Sequence, residues 1–270
     1  MDGLPGEGKV PRPGARDGAG LEYPVKPLLY ISIAVASFLM FIIVFAPATP
    51  VWSLIRETVH ERVPDLNVYR VSGTIWSGES EIQFRRFPPS LVTWQLSPVD
   101  LIKGVAKIRV RAQGEGHLLE AEVALTASNA DIKSLHGTID SNYVNVVSEE
   151  FGFTFSGNLE IRELSISADR IWITGAAGTA RWTGGRIIIT TAAGPQSFVL
   201  PPLQALFLMR QQRLILDITH QQQTLISIIL RKGGWAEIAI KARMFALANL
   251  PMPGGSDRDE TILLIEEKIL

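Results

Sequence analysis

Residues 106–125 read AKIRVRAQGEGHLLEAEVAL, and charged and apolar side chains alternate along most of this stretch. Basic residues occupy every second position of Ala106–Ala112, and two glutamates do the same in Leu119–Leu125. A side-chain period of two places charge on one face of a β-strand, whereas an amphipathic helix needs a period near 3.6. The stretch Gln113–Gly116 between them is typical of a turn. We therefore predict an antiparallel pair of half-buried strands whose opposite charges face solvent and help to set the register.

Similar strand patterns continue towards the carboxyl terminus. Along Leu159–Ala168 the alternation shifts phase at Glu163, which is the signature of a β-bulge. The segment His220–Gln223 separates two apolar runs and predicts a solvated hairpin loop. The other predicted strands are Arg186–Thr191, Leu214–Thr219, Thr224–Arg231 and Trp235–Arg243.

Helical patterns are few in this part of the chain. We predict helices over Val51–Val63, Pro98–Lys103 and Pro202–Gln211. Ser97 is suited to cap the second of these, because proline is well tolerated in the first turn of a helix. The fold class predicted for the region is accordingly mainly β.

The stretch Leu28–Ala46, LLYISIAVASFLMFIIVFA, has nineteen residues and no charge. At about 1.5 Å of rise per residue, a helix of this length reaches roughly the 30 Å of the hydrocarbon core of a bilayer. We predict a single transmembrane helix over residues 27–46. A cleaved signal peptide is the alternative, because Ala46–Ala48 resembles a processing site. The length of the apolar run and of the leader before it favours a retained anchor.

The leader, residues 1–26, is rich in Gly and Pro and is predicted to be a disordered tail. Lys26 precedes the apolar run directly, whereas the first charge after it is Arg56. Positive charge close to the membrane favours a cytoplasmic amino terminus, so the chain beyond the span is predicted to lie outside the cytoplasm. We expect a β-rich domain over residues 47–250, followed by a linker and tail over residues 251–270. The segment Thr261–Leu270 fits either a last strand of the sheet or an amphipathic segment that docks on a partner or the membrane.

Composition excludes several functions. The chain has no Cys, and its formal net charge is −1, so it lacks a thiolate nucleophile and a charge excess suited to nucleic acid. No nucleophile elbow or phosphate-binding loop is present. The four histidines have no metal-ligand spacing and are read as surface or strand residues: His60, His117, His136 and His220. We predict no enzyme activity and no catalytic, cofactor-binding or metal-binding residues.

A short motif recurs along the chain. Gly73–Gly78 (GTIWSG) has an echo in Gly178–Gly184 (GTARWTG) and a partial one in Gly137–Ile139. The repeated motif is either a chance similarity or the sign of two similar β halves that stack. Four tryptophans in strand contexts are predicted to cover the sheet or anchor its core, while Trp52 suits a membrane interface: Trp76, Trp94, Trp182 and Trp235.

Two spaced motifs resemble a known family. Val71–Gly78 (VSGTIWSG) is followed by Leu91–Pro98 (LVTWQLSP), and a second Trp-Thr-Gly-Gly lies at Trp182–Gly185. These residues are similar to the type II secretion system protein N family, and the resemblance covers roughly Val51–Leu250. The long Gly/Pro-rich leader and the tail after Pro253 depart from the usual form of the family.

The resemblance implies a subunit of the inner-membrane platform that exports folded proteins from the periplasm. Such a protein has a cytoplasmic tail, one span in the inner membrane and a periplasmic, curved antiparallel β-sheet domain. It would act as a scaffold or in assembly with other inner-membrane secretion subunits. The family is also similar to larger envelope proteins of the AsmA type, whose curved sheets hold lipid in a groove. A lipid-binding role is therefore the second hypothesis, ahead of an envelope enzyme.

Overall fold

The computed structural model describes residues 25–191, 194–251 and 257–268, and the chain divides into two units, Met1–Phe45 and Ala46–Leu270. In the first unit, helix α1 covers Val25–Val44, and its described side chains from Leu29 onward are exposed. The predicted disordered tail lies outside the described residues as far as residue 24.

The described part of the chain contains no helix with the length and apolarity needed to cross a membrane. The transmembrane helix predicted over residues 27–46 is therefore not confirmed and stays a prediction.

The second unit is built almost entirely from strands. Its strands are β1 Leu66–Gly73, β2 Ser77–Phe84, β3 Ser90–Leu96, β4 Ala106–Gly114, β5 His117–Leu125, β6 Asn129–Asp140, β7 Phe153–Phe155, β8 Asn158–Asp169, β9 Ile173–Trp182, β10 Gly185–Thr191, β11 Gly194–Leu200, β12 Leu203–Arg210, β13 Arg213–His220, β14 Gln223–Leu230, β15 Trp235–Lys241 and β16 Thr261–Lys268. Its helices are α2 Ala48–Arg62, α3 Pro98–Ile102, α4 Ser141–Ser148 and α5 Ala242–Leu247, with a short 3-10 turn at Glu149–Phe151.

Thirteen strands form one large antiparallel sheet in the order β1-β2-β3-β4-β5-β6-β8-β9-β12-β13-β14-β15-β16. The remaining strands form a small sheet in the order β11-β10-β7. Most neighbours in the large sheet are consecutive in sequence, because short turns join antiparallel strands directly. The predicted mainly β fold with a large antiparallel sheet is confirmed. The two copies of the tryptophan motif lie in or beside this one continuous sheet, so a stack of two halves is not confirmed.

The charged hairpin forms as predicted. In the β4–β5 register, Arg109 pairs with Glu122 and Arg111 with Glu120. The Nζ atom of Lys107 lies 3.1 Å from Oε1 of Glu122, and Nη1 of Arg111 lies 3.5 Å from Oε1 of Glu120. These groups are partly exposed, so each ion pair contributes only a few tenths of a kcal/mol and acts mainly on register.

The predicted bulge at Glu163 is confirmed. Glu163 has a φ of 48°, and the pairing of β8 with β9 shifts between Arg162 and Ser165. Gly178 lies opposite on β9 with a φ of 151°, and a Cβ atom there would come within 2.5 Å of the Leu164 Cα atom. The bulge therefore keeps the apolar residues before and after it on one face of the sheet.

One predicted helix is wrong. Leu203–Arg210 is strand β12, which pairs with β9 on one side and β13 on the other. An apolar run of this length fits either state, and pairing on both sides decides for the strand. The other two predicted helices are confirmed as α2 and α3, and the Ser97 hydroxyl accepts a hydrogen bond from the Asp100 amide at 3.5 Å.

The apolar core lies in the carboxyl-terminal half of the domain. Its buried members are Ile187, Leu200, Leu203, Leu225 and Ala248, and Leu200 is 1 % exposed. Among the described residues, strands β2 to β5 contribute no buried apolar side chain. Their inward-facing apolar residues, such as Ile108 and Val123, are only half-buried. These four of the thirteen strands therefore have an incompletely covered apolar face.

Candidate functional site

An apolar pocket of about 480 Å³ lies between the two sheets. Strands of the large sheet supply one wall, which includes Leu159, Trp182, Leu203, Ala205, Ile218 and Ile226. The small sheet supplies the facing wall, which includes Phe153, Phe155, Ile187, Ile189, Phe198 and Leu200. Helices α4 and α5 add Val144 and Met244. The volume is within the usual range for sites that bind small molecules.

Small residues leave space along the wall of the large sheet. Ala205 pairs with Ala180 on β9 and with Ile218 on β13, so two alanines stand side by side in neighbouring strands. Because directly opposed residues of antiparallel strands point to the same face, both alanines face the small sheet. The alternation along each strand is enough to place these residues inward, and Ala205 lines the pocket while Ala180 is buried beside it.

The side of the pocket near α4 is held by backbone and amide hydrogen bonds. The buried Asn145 side chain donates to the Phe155 carbonyl and accepts from the Phe155 amide, both at 2.8 Å. The Asp140 carboxylate caps α4 by accepting from the Asn142 amide at 2.7 Å. These hydrogen bonds therefore fix strand β7 to helix α4 at this side of the pocket.

The pocket has the chemistry of a binding site for an apolar group. Among the described residues that line it, Ser141, Gln204 and Trp182 carry polar groups and none is ionisable. The Trp182 indole nitrogen donates to the Ser156 carbonyl at 3.0 Å, which satisfies it within the protein. A charged group enclosed here would lose its hydration without a partner, at a high cost in free energy.

A second feature of the domain is its last strand. Strand β16 pairs with β15 and lies at one end of the large sheet. Of the two alternatives for the tail, residues 261–268 adopt the last strand of the sheet. Residues 252–256 and 269–270 lie outside the described part of the chain. Leu263, Leu264 and Ile265 are 42 %, 58 % and 39 % exposed. An apolar edge strand of this kind is a ready site for pairing with another chain.

Sequence reasoning missed one buried polar pair. The Ser90 hydroxyl and Nε2 of His117 lie 2.9 Å apart, and both residues are buried. A Cβ atom on Gly114, which lies between them in the sheet, would come within 2.5 Å of the His117 ring. The Tyr143 ring packs on His117 at 4.3 Å between centroids. Burial lowers the pKa of the His117 imidazole, and the backbone at Glu115 opposes this only in part.

The other histidines are separate from this pair. Nδ1 of His136 lies 2.8 Å from the carbonyl oxygen of Ser134. Nδ1 of His220 lies 3.0 Å from the carbonyl oxygen of Pro202. His60 lies beside a shallow hollow between α2 and β1, which Trp52 also lines. Within the described ranges, no three His, Asp or Glu side chains are placed to hold a metal ion together.

The tryptophan predictions are confirmed for Trp94 and Trp182, whereas Trp76 lies in the bend between β1 and β2 and not in a strand. Trp76, Trp94 and Trp182 are half-buried, and Trp94 covers Gly78, where a Cβ atom would lie 2.4 Å from the indole ring. The prediction for Trp235 is wrong, because this residue is 50 % exposed. It begins β15 opposite Lys268, the last residue of strand β16.

Comparison with known proteins gives one family. Residues 64–248 match the family model described as type II secretion system (T2SS), protein N, which covers more than half of the 270 residues. No curated protein and no solved structure gives a significant match. The matched range includes the pocket and both copies of the tryptophan motif, and it leaves out α1 and β16.

Proposed function

Because this chain belongs to the type II secretion system protein N family, we propose that it is a membrane-anchored assembly subunit of the secretion machinery. Family membership supports a part in type II secretion. In this proposal the protein is not an enzyme. It holds its β domain on the periplasmic side of the inner membrane and brings other subunits together there.

The anchor is supported by the sequence of residues 27–46. A charge-free run of this length matches the thickness of a bilayer, and Lys26 on its amino-terminal side favours a cytoplasmic amino terminus. An alkaline phosphatase fused after Leu270 should therefore be active, and a green fluorescent protein at the same point should be dark. The opposite pair of results would contradict the proposed orientation.

The assembly role is supported best by the exposed apolar edge of β16. A strand of another subunit could add to this edge through backbone hydrogen bonds, with the side chains of Leu263 and Leu264 giving specificity. The membrane anchor would raise the local concentration of the edge for subunits in the same membrane. The partners proposed are thus other inner-membrane secretion subunits.

The edge can be tested with matched charge substitutions. Leu264→Lys places a charge on the strand edge, and Ile171→Lys places the same charge on another exposed apolar residue, in the turn between β8 and β9. Recovery of other secretion subunits with the tagged chain should fall for Leu264→Lys and be retained for Ile171→Lys. Equal recovery for both variants, at equal protein level, would refute β16 as the docking edge.

Lipid binding is the second candidate function, and the apolar pocket between the sheets is the observation that favours it. Its walls are apolar, and the part of the chain that the structure describes places no ionisable residue in them, which suits a hydrocarbon ligand. The test is mass spectrometry of the full chain after gentle solubilisation. Bound lipid that survives exchange into a lipid-free polymer would support this function, and its reproducible absence would count against it.

A further inference from the structure

A single row of apolar residues crosses the large sheet and passes through the pocket. Directly paired residues link Gly137 on β6 to Ile161 on β8, then to Ala180 on β9 and Ala205 on β12. The pairing continues from Ala205 through Ile218 and Ile226 to Ile240 on β15. Each pair lies on the same face of the sheet, so the row is continuous across seven neighbouring strands.

The row also extends beyond the part covered by the small sheet. Gly137 pairs with Leu119 on β5, which pairs with Ala112 on β4, and Ala112 pairs with Val92 on β3. These three apolar residues are only half-buried. The covered row thus continues into an open apolar face on the same side of the sheet.

We propose that the pocket end of this row, from Ala205 to Ile240, is a track for a hydrocarbon chain, which lies across strands β12 to β15. The inference rests on the second proposed function and adds the position and chemistry of the ligand. Four row residues on neighbouring strands line the pocket, and at about 4.8 Å spacing this part of the row is about 14 Å long. One leaflet of a bilayer core is about 15 Å thick, so this length matches that of one acyl chain.

Small side chains mark the point where the row reaches the pocket. Ala205 lines the pocket, and its partner Ala180 is only 4 % exposed and is not part of the lining. The larger Ile218 and Ile226 stand further along the row, inside the pocket.

The track selects the chain and not its headgroup. None of the described residues that line the pocket is ionisable, so they offer no charge-assisted hydrogen bond that would distinguish a phosphate or a carboxylate from a neutral polar group. A charged headgroup has to remain outside the pocket, where water solvates it. Lipids that carry the same acyl chain with different headgroups are therefore equivalent ligands.

The experiment uses the full chain in nanodiscs of phosphatidylethanolamine that contain a photoactivatable palmitoyl probe. Three probes are compared at equal mole fraction: phosphatidylglycerol, phosphatidylcholine and diacylglycerol. The labelling yields of the β domain with the three probes should agree within about threefold, because the described pocket residues include no charged group that would bind one headgroup more tightly than another. Adducts should map to peptides that contain Ala205, Ile218, Ile226 or Ile240.

Ala205→Phe fills the row, and Leu206→Phe is its matched control. Leu206 is the next residue of β12, points to the other face and is 43 % exposed. Labelling of the row should fall at least about tenfold in Ala205→Phe and stay unchanged in Leu206→Phe, because a fully blocked apolar site loses its contacts with the chain. Adduct mapping in the unmodified protein tests the track independently if Ala205→Phe does not fold.

The outcomes separate this inference from the function on which it rests. If lipid copurifies but adducts lie outside the row, or one headgroup labels more than about tenfold better than the others, the track is wrong and lipid binding stands. Unchanged labelling in Ala205→Phe would also show that the track is wrong while lipid binding stands. If no lipid copurifies and no adduct forms in the β domain, both the track and lipid binding are refuted.

Discussion

Leu200→Ala should destabilise the β domain by about 3.5 kcal/mol, which makes it the most direct test of how the two sheets are held together. Leu200 is 1 % exposed and belongs to the core cluster that joins the small sheet to the large one. The substitution removes three carbon atoms, each worth about 0.8 kcal/mol of transfer free energy. The rest of the cost comes from the cavity that remains, since the side chain already borders the pocket and paired strands cannot collapse into the space.

Val199→Ala is the control for this prediction. Val199 is the neighbouring residue on β11 and is 65 % exposed, so its truncation should cost less than about 0.5 kcal/mol. Both variants are compared as full chains in mild detergent, by tryptophan fluorescence during urea unfolding. The melting temperature of Leu200→Ala should also fall by about 10 °C for a domain of this size. If the two variants unfold with the same free energy, the small sheet is not anchored by this core.

Three further predictions concern the large sheet. Gly178→Ala should cost about 2 kcal/mol in urea unfolding because its Cβ atom would meet the Leu164 backbone, whereas Gly175→Ala meets only ordinary contacts and should be nearly neutral. Burial lowers the pKa of His117 below 6.5 in the folded protein, so the unfolded chain binds the proton better. The stability that neutral His117 contributes should therefore be complete above about pH 6.5 and be lost as the pH falls through the folded-state pKa. An unfolding midpoint of His117→Gln with the same pH dependence as the parent would contradict this assignment. Trp94→Ala should cost about 3 kcal/mol and lower protein abundance before it affects secretion, and normal abundance with lost secretion would show a contact role instead.

Local alternation was sufficient to predict most of the sheet. The charged hairpin of β4 and β5, the bulge at Glu163 and the glutamine-rich turn before β14 all follow from a period of two and its interruptions. These features depend on neighbours in sequence, because most paired strands are consecutive along the chain. The family was also predictable, since its motifs are short and consist of residues that are close in sequence.

The features that sequence reasoning missed depend on residues that are distant in sequence. Ser90 and His117 are 27 positions apart, and only the register of three strands brings them together. Strand β12 has an apolar run that also fits a helix, and its partners β9 and β13 decide its state. Trp235 looked like a core residue because its strand is apolar, but it lies opposite the last residue of an uncovered edge strand.

Sequence by itself determined the fold class, the bulge, the family and the residues that point to each face of the sheet. Side-chain alternation carries this information, because it reports the two faces of every strand separately. Only the tertiary structure decided which part of the apolar face is covered and which is open. The departure of β7, β10 and β11 into a second sheet leaves the pocket over Ala205, and the position of β16 leaves an exposed edge. Both result from packing between segments far apart in the chain, which alternation within a strand does not encode.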